Sequence, residues 1–189
     1  MVVLLIAALI AAPQPPRGAP KTQQEPVAQE TLSDAELRER VDAYLGTIDR
    51  PIPAERWKAL GAQAAPLLEA IIADENSYPS RRAKALDALV LVSPDKASQL
   101  VGGLARDESK PMTLRVAAMH GAAQVLSPSQ AVSTLRPVLR GSQDTGVRAV
   151  AADVLARKQG GCAEVKSQVQ REKAENRPAF ERALKRCGE

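Results

Sequence analysis

From Ser33 onward the apolar residues recur at spacings of three and four, the signature of helices with one buried face. Ser33 and Glu36 have the spacing of a capping box, and Leu37, Val41, Tyr44 and Leu45 then share a helical face. A short second helix is expected from Pro53 to Leu60, ended by Gly61, with Trp57 and Tyr44 closing one end of the core. Beyond it the pattern repeats. Segments beginning at Arg82, Arg115 and Arg148 are spaced by 33 residues, and each opens a helix rich in Ala and Leu. Each is preceded by another apolar stretch: Pro66 to Ile72, Ala97 to Leu104, and Ala131 to Leu139. Polar turns, DENSYPSR, DESKPMTLR and GSQDTGVR, join the two halves. Ser93-Pro94 and Ser127-Pro128 open the second and third units, with Ser placed to cap and Pro at the first helical position. A fixed period of this size predicts stacked helical pairs.

The two ends differ from this middle. Residues 2–12 are eleven consecutive apolar residues, too short to span a bilayer, which takes roughly 20. Their length suits the apolar core of a secretory signal, and no basic residue precedes them, so the true start is expected upstream. Residues 13–30 carry Pro, Gln and few apolar side chains and read as a disordered linker. The expected plan is a signal-like segment at 1–12, a linker at 13–30, capping helices at 31–60, repeats at 61–159 and a helical-hairpin cap at 160–189.

The Leu-rich helix, acidic turn and Arg-x-x-Ala opening of the second helix resemble HEAT repeats over residues 61–157. The short period is similar to the compact variety also found in the bilin-lyase group. That resemblance implies an all-α, right-handed α-α solenoid of about three helical pairs. It also implies a scaffold that binds other proteins. In arrays of this kind the second helix of each unit lines the concave side. The recurring arginine bonds to an acidic residue of the turn, here Asp74, Asp107 or Asp144.

Composition narrows the picture. Aromatic residues are 2% of the chain and alanine occurs 33 times, which favours closely packed helices over a β-sandwich. The net charge of +4 arises entirely in residues 157–189, with nine basic and five acidic side chains; residues 31–156 hold fifteen of each. The basic tail has no interleaved aromatics for base stacking, and Glu164, Glu172, Glu175 and Glu181 run through it. It reads as a solvated helical face, and no nucleic-acid partner is expected.

Two cysteines and one histidine leave little room for a zinc site, and no cofactor, metal or catalytic residue is expected. Cys162 and Cys187 stand at the two ends of the C-terminal hairpin, whose ends return to one place; in an exported protein they read as a disulfide. His120 lies between Asp87 and Asp153 at equivalent places in the three units, too far apart on packed helices to share one ion. The outward positions of the second helices form a strip: Lys84, Ala117 and Val150, then Asp87, His120 and Asp153, then Leu91, Gln124 and Arg157. From it Lys84, Asp87, Ala117, His120, Gln124, Asp153 and Arg157 are the expected partner-binding residues, with small Ala117 allowing close approach beside His120. The expectation is a non-catalytic, monomeric protein-binding module, periplasmic or secreted, with no integral membrane span. The alternatives are a chromophore-handling enzyme related to the bilin-lyase group, or nucleic-acid binding through the tail.

Overall fold

The structure, a computed structural model, describes residues 32–48 and 50–188. The apolar segment 1–12 and the linker 13–30 lie outside these residues. Among the described residues there are ten α-helices, two short 3-10 turns and no strand. The helices are α1 Asp34–Gly46, α2 Ala54–Leu60, α3 Ala65–Ala73, α4 Pro79–Val92, α5 Pro94–Arg106, α6 Met112–Val125, α7 Pro128–Gly141, α8 Thr145–Ala156, α9 Gly161–Arg171 and α10 Arg177–Lys185. No described helix is long and apolar enough to cross a membrane.

Local chemistry explains several boundaries. Ser33 and Glu36 form the expected reciprocal cap of α1, and Ser127 and Gln130 do the same for α7. Ser93 does not cap α5 with its side chain. It also terminates α4, and its backbone sits at φ −150°, ψ 75°, whereas Ser33 and Ser127 hold the extended geometry near ψ 160° that aims the hydroxyl at the first turn. Gly160 takes the left-handed conformation at φ 84°, and a Cβ on Gly161 would lie 2.0 Å from the Leu155 carbonyl oxygen. Only glycine permits this tight passage from α8 into α9.

Neighbouring helices pack in chain order, α3 on α4, α5 on α6, α7 on α8 and α9 on α10. The second members also pack on one another, α4 on α6, α6 on α8 and α8 on α10, while α5 rests on α7 and α7 on α9. Two layers result. Eight of the fourteen residues of α4 are buried, against three of the thirteen of α5. Small residues let the layers meet: a Cβ on Gly121 of α6 would stand 3.1 Å from Val101 of α5 and 3.2 Å from Val90 of α4. Of the glycine pair in α5, Gly102 lies close to Thr134 of α7, but Gly103 faces open space. At the N-terminal end Tyr44 and Trp57 stack edge to face with centroids 5.1 Å apart.

The three arginines occupy the fourth position of α4, α6 and α8; Arg115 pairs with the turn acid Glu108 (3.6 Å), but the hydrogen bonds of all three go elsewhere than to the turn aspartates and correct that part of the expectation. Arg82 Nε donates to the Ile72 carbonyl (2.9 Å) and Arg115 Nε to the Ala105 carbonyl (3.3 Å), near the last residues of α3 and α5. Helix ends carry unpaired carbonyls and a negative partial charge, so a guanidinium is well placed there. Arg115 Nη2 adds a bond to Ser142 Oγ (3.0 Å). Arg148 donates to the Ser142 and Gln143 carbonyls and grips Glu172 with Nε (2.7 Å) and Nη2 (2.9 Å). The aspartates instead shape the turns. Asp74 accepts from Asn76 N and Ser77 Oγ, Asp107 from Ser109 N and Oγ, and Asp144 from Gly146 N and Val147 N.

Candidate interaction surface

The exposed edges of α4, α6 and α8 form one surface, and the expected strip divides on it into two depressions. The first, about 330 Å³, lies between the end of α1, the α1–α2 connection, Trp57 and one side of α4, where Lys84, Asp87 and Leu91 contribute to its wall. The second, about 260 Å³, lies between α6 and α8 and brings together His120, Gln124, Asp153 and Arg157, with Lys158 beside them.

Ala117 does not belong to this surface: it is only 7% exposed. The equivalent residue in α4, Lys84, is exposed because its long stem carries the ammonium past its neighbours, whereas a single methyl group stays beneath them. Ala117 is therefore packing between helices and not a point of close approach.

The charged groups of the surface are tied to the fold in different ways. Lys84 Nζ donates to the carbonyls of Thr47 (2.6 Å) and Leu45 (3.4 Å), at the carbonyl end of α1. Lys158 likewise donates to the Ala123 carbonyl near the end of α6. Asp153 accepts from Arg157 (3.1 Å) and from Arg186, which precedes Cys187 in the C-terminal 3-10 turn Arg186–Gly188. Asp87 accepts no hydrogen bond and joins no ion pair with the described residues. It remains open to solvent, but the walls of the first depression displace enough water to push its carboxyl above the usual range, an effect that neighbouring His120 opposes.

Comparison with protein-family models, with curated proteins and with solved structures finds no match. Among the described residues no three His, Cys, Asp or Glu side chains are grouped to hold a metal ion. Asp87, His120 and Asp153 fall in two depressions rather than around one point.

The first depression was not foreseen as a cavity. More than half of its described lining comes from residues 44–48 and 50–52, at the end of α1 and in the connection that follows, and its shape depends on how that connection lies against α4. The exposed Ile48, 90% accessible at its rim, was the available signal: an isoleucine in a polar connection with no helical face to join.

The cap contributes the remaining ties. The Cys162 and Cys187 sulfurs stand at disulfide distance, with Cα atoms 5.7 Å apart. Glu164 of α9 pairs with Arg136 (2.8 Å) and Arg140 (2.7 Å) of α7, and Glu172 with Arg148 of α8. Arg148, then Gln168, hydrogen-bond the Glu172 carboxylate and hold its pKa below the usual range against the opposing effect of burial.

Proposed function

We propose that this chain is a non-catalytic, HEAT-like module that binds another protein along the face of α4, α6 and α8, and that it works outside the cytoplasm. In this reading α3–α8 are three turns of a right-handed α-α solenoid, α1 and α2 cap one end, and α9–α10 close the other. The supporting observation is the packing of second helices on one another, with two depressions beside them lined by mixed charged and apolar groups. Such a mixture suits a protein partner better than a phosphate backbone. The cysteine pair suits an oxidising compartment, and the apolar run at residues 2–12 suits export.

Both parts are testable. Cell fractionation with the mass of the mature N-terminus should find the protein in the envelope or medium, cleaved after the apolar run and without free thiols. Recovery of full-length protein with two free thiols from the cytoplasm would reject export. Pull-down from the envelope fraction should retain a partner, and His120→Glu, which places a third acid beside Asp87 and Asp153, should weaken retention while circular dichroism and the melting curve stay unchanged. Unaltered retention by that variant would move the binding face elsewhere.

A further inference from the structure

The depression at the N-terminal end has a chemical character distinct from the rest of the face. Its walls are largely apolar, with Tyr44, Ile52 and Trp57 facing Leu91 and its neighbours on the side of α4. Ile48 stands almost wholly exposed at the rim, an apolar contact offered to solvent beside an apolar cavity. Among the described residues, three charged ones line it: Arg50, Lys84 and Asp87. The Lys84 ammonium is held by two carbonyls at the end of α1, where it offsets the negative helix terminus instead of pairing with Asp87 three residues away. Arg50 lies in the exposed connection. On the α4 wall the Asp87 carboxylate is left without a hydrogen-bond or ion-pair partner among the described residues. A carboxylate set in the wall of a concavity attracts a cation more strongly than one on flat surface, because less water screens it.

We infer that this depression receives a segment of a partner protein that presents a basic side chain, Arg or Lys, flanked by apolar ones. The basic group pairs with Asp87, its stem and apolar neighbours lie along Leu91, Ile52 and Tyr44, and Ile48 closes over them. The volume, about 330 Å³, accommodates one large side chain rather than a folded element. This inference rests on the proposed function and names the partner chemistry for one part of the same face.

Trp57 is the only tryptophan of the chain and lines the cavity, so its fluorescence and its indole N–H resonance report occupancy directly. The probes are blocked pentapeptides, acetyl-Gly-Leu-Xaa-Leu-Gly-amide, with Arg, norleucine or Glu at Xaa, titrated into the full exported protein. The Arg peptide should perturb Trp57 saturably and bind at least tenfold more tightly than the Glu peptide. Asp87→Asn should abolish that preference, while Asp153→Asn, in the second depression, should preserve it. Tighter binding of the Glu peptide would show that Arg50 sets the charge preference and would overturn the inference. Equal binding of all three would reduce the site to an apolar cleft, and no saturable response up to about 1 mM, the weak limit of useful recognition, would remove it. A preference lost in Asp153→Asn but kept in Asp87→Asn would also overturn the inference while leaving the face itself as the binding surface.

Discussion

The inner helices α4, α6 and α8 and the outer helices α5 and α7 use similar residues to different ends. An outer helix buries one stripe and shows a broad polar face: α5 buries only Ala97, Val101 and Ala105. An inner helix is covered from several directions, and what it leaves exposed is a narrow line of side chains. The ion pairs follow the same division. Outer Arg136 and Arg140 are more than 40% exposed as they reach Glu164, whereas inner Arg148 grips a Glu172 side chain that is 4% exposed. The lesson is that the layer carrying most of the stability also carries the proposed binding line, because the packing that buries these helices holds its few exposed side chains in place.

The largest expected difference between layers is in apolar truncation. Leu89→Ala on α4, at a fully buried position, should cost about 3–5 kcal/mol, the transfer term plus a cavity that close packing cannot collapse. Leu100→Ala on α5, half-buried, should cost less than half as much by chemical denaturation. Equal losses would erase the distinction between layers.

Next come the ion pairs. Arg148→Ala leaves the buried Glu172 carboxylate uncompensated and should cost about 3 kcal/mol, whereas Arg136→Ala, which removes an exposed guanidinium and leaves Glu164 paired with Arg140, should cost less than about 1. Acid should discriminate in the same way. Because the folded pKa of Glu172 is depressed, its stabilisation is present above the ordinary glutamate pKa and is lost as pH falls through the folded value. Asp87 has the opposite sign: its pKa is raised, so it favours the fold when protonated and costs stability as pH rises through its folded value. Hydrogen exchange should therefore show α9 and α10 losing protection as pH drops below the glutamate range, while the amides of α4 facing Asp87 do not. Loss of α4 protection first would contradict both assignments.

The smallest test uses glycine. Gly103→Ala on α5, where an added Cβ meets nothing within 4 Å, should stabilise by roughly 0.5–1 kcal/mol through helix propensity alone. Gly121→Ala on α6, pressed between Val101 and Val90, should gain nothing or lose stability. Equal gains at both sites, measured by thermal unfolding, would mean that the layers are looser than the contacts indicate.

Much of the fold was legible before the structure. The spacing of 33 put the arginines at the start of α4, α6 and α8, where each proves to be the fourth residue, and the caps at Ser33 and Ser127 lie where side-chain chemistry alone put them. Cys162 and Cys187 meet at the ends of a hairpin whose two helices were visible in the pattern. Less legible were features set by contacts between elements. The Nε groups of Arg82 and Arg115 bond carbonyls, which every residue has, so no side chain in the sequence points to those partners. Ala117 occupies an outward position by periodicity but is too short to emerge, and that depends on its neighbours. The first depression is shaped largely by residues 44–48 and 50–52, which lie mostly outside regular structure and so have no periodicity to read.

The central claim is that the inner line, not the outer polar face, meets a partner. Site-specific photo-crosslinking in intact cells tests it most directly, with the reactive side chain placed at Gln124 of α6 or at Gln99 of α5, both exposed. A discrete adduct with another protein is expected from Gln124 and none from Gln99. An adduct from Gln99 with none from Gln124 would contradict that claim.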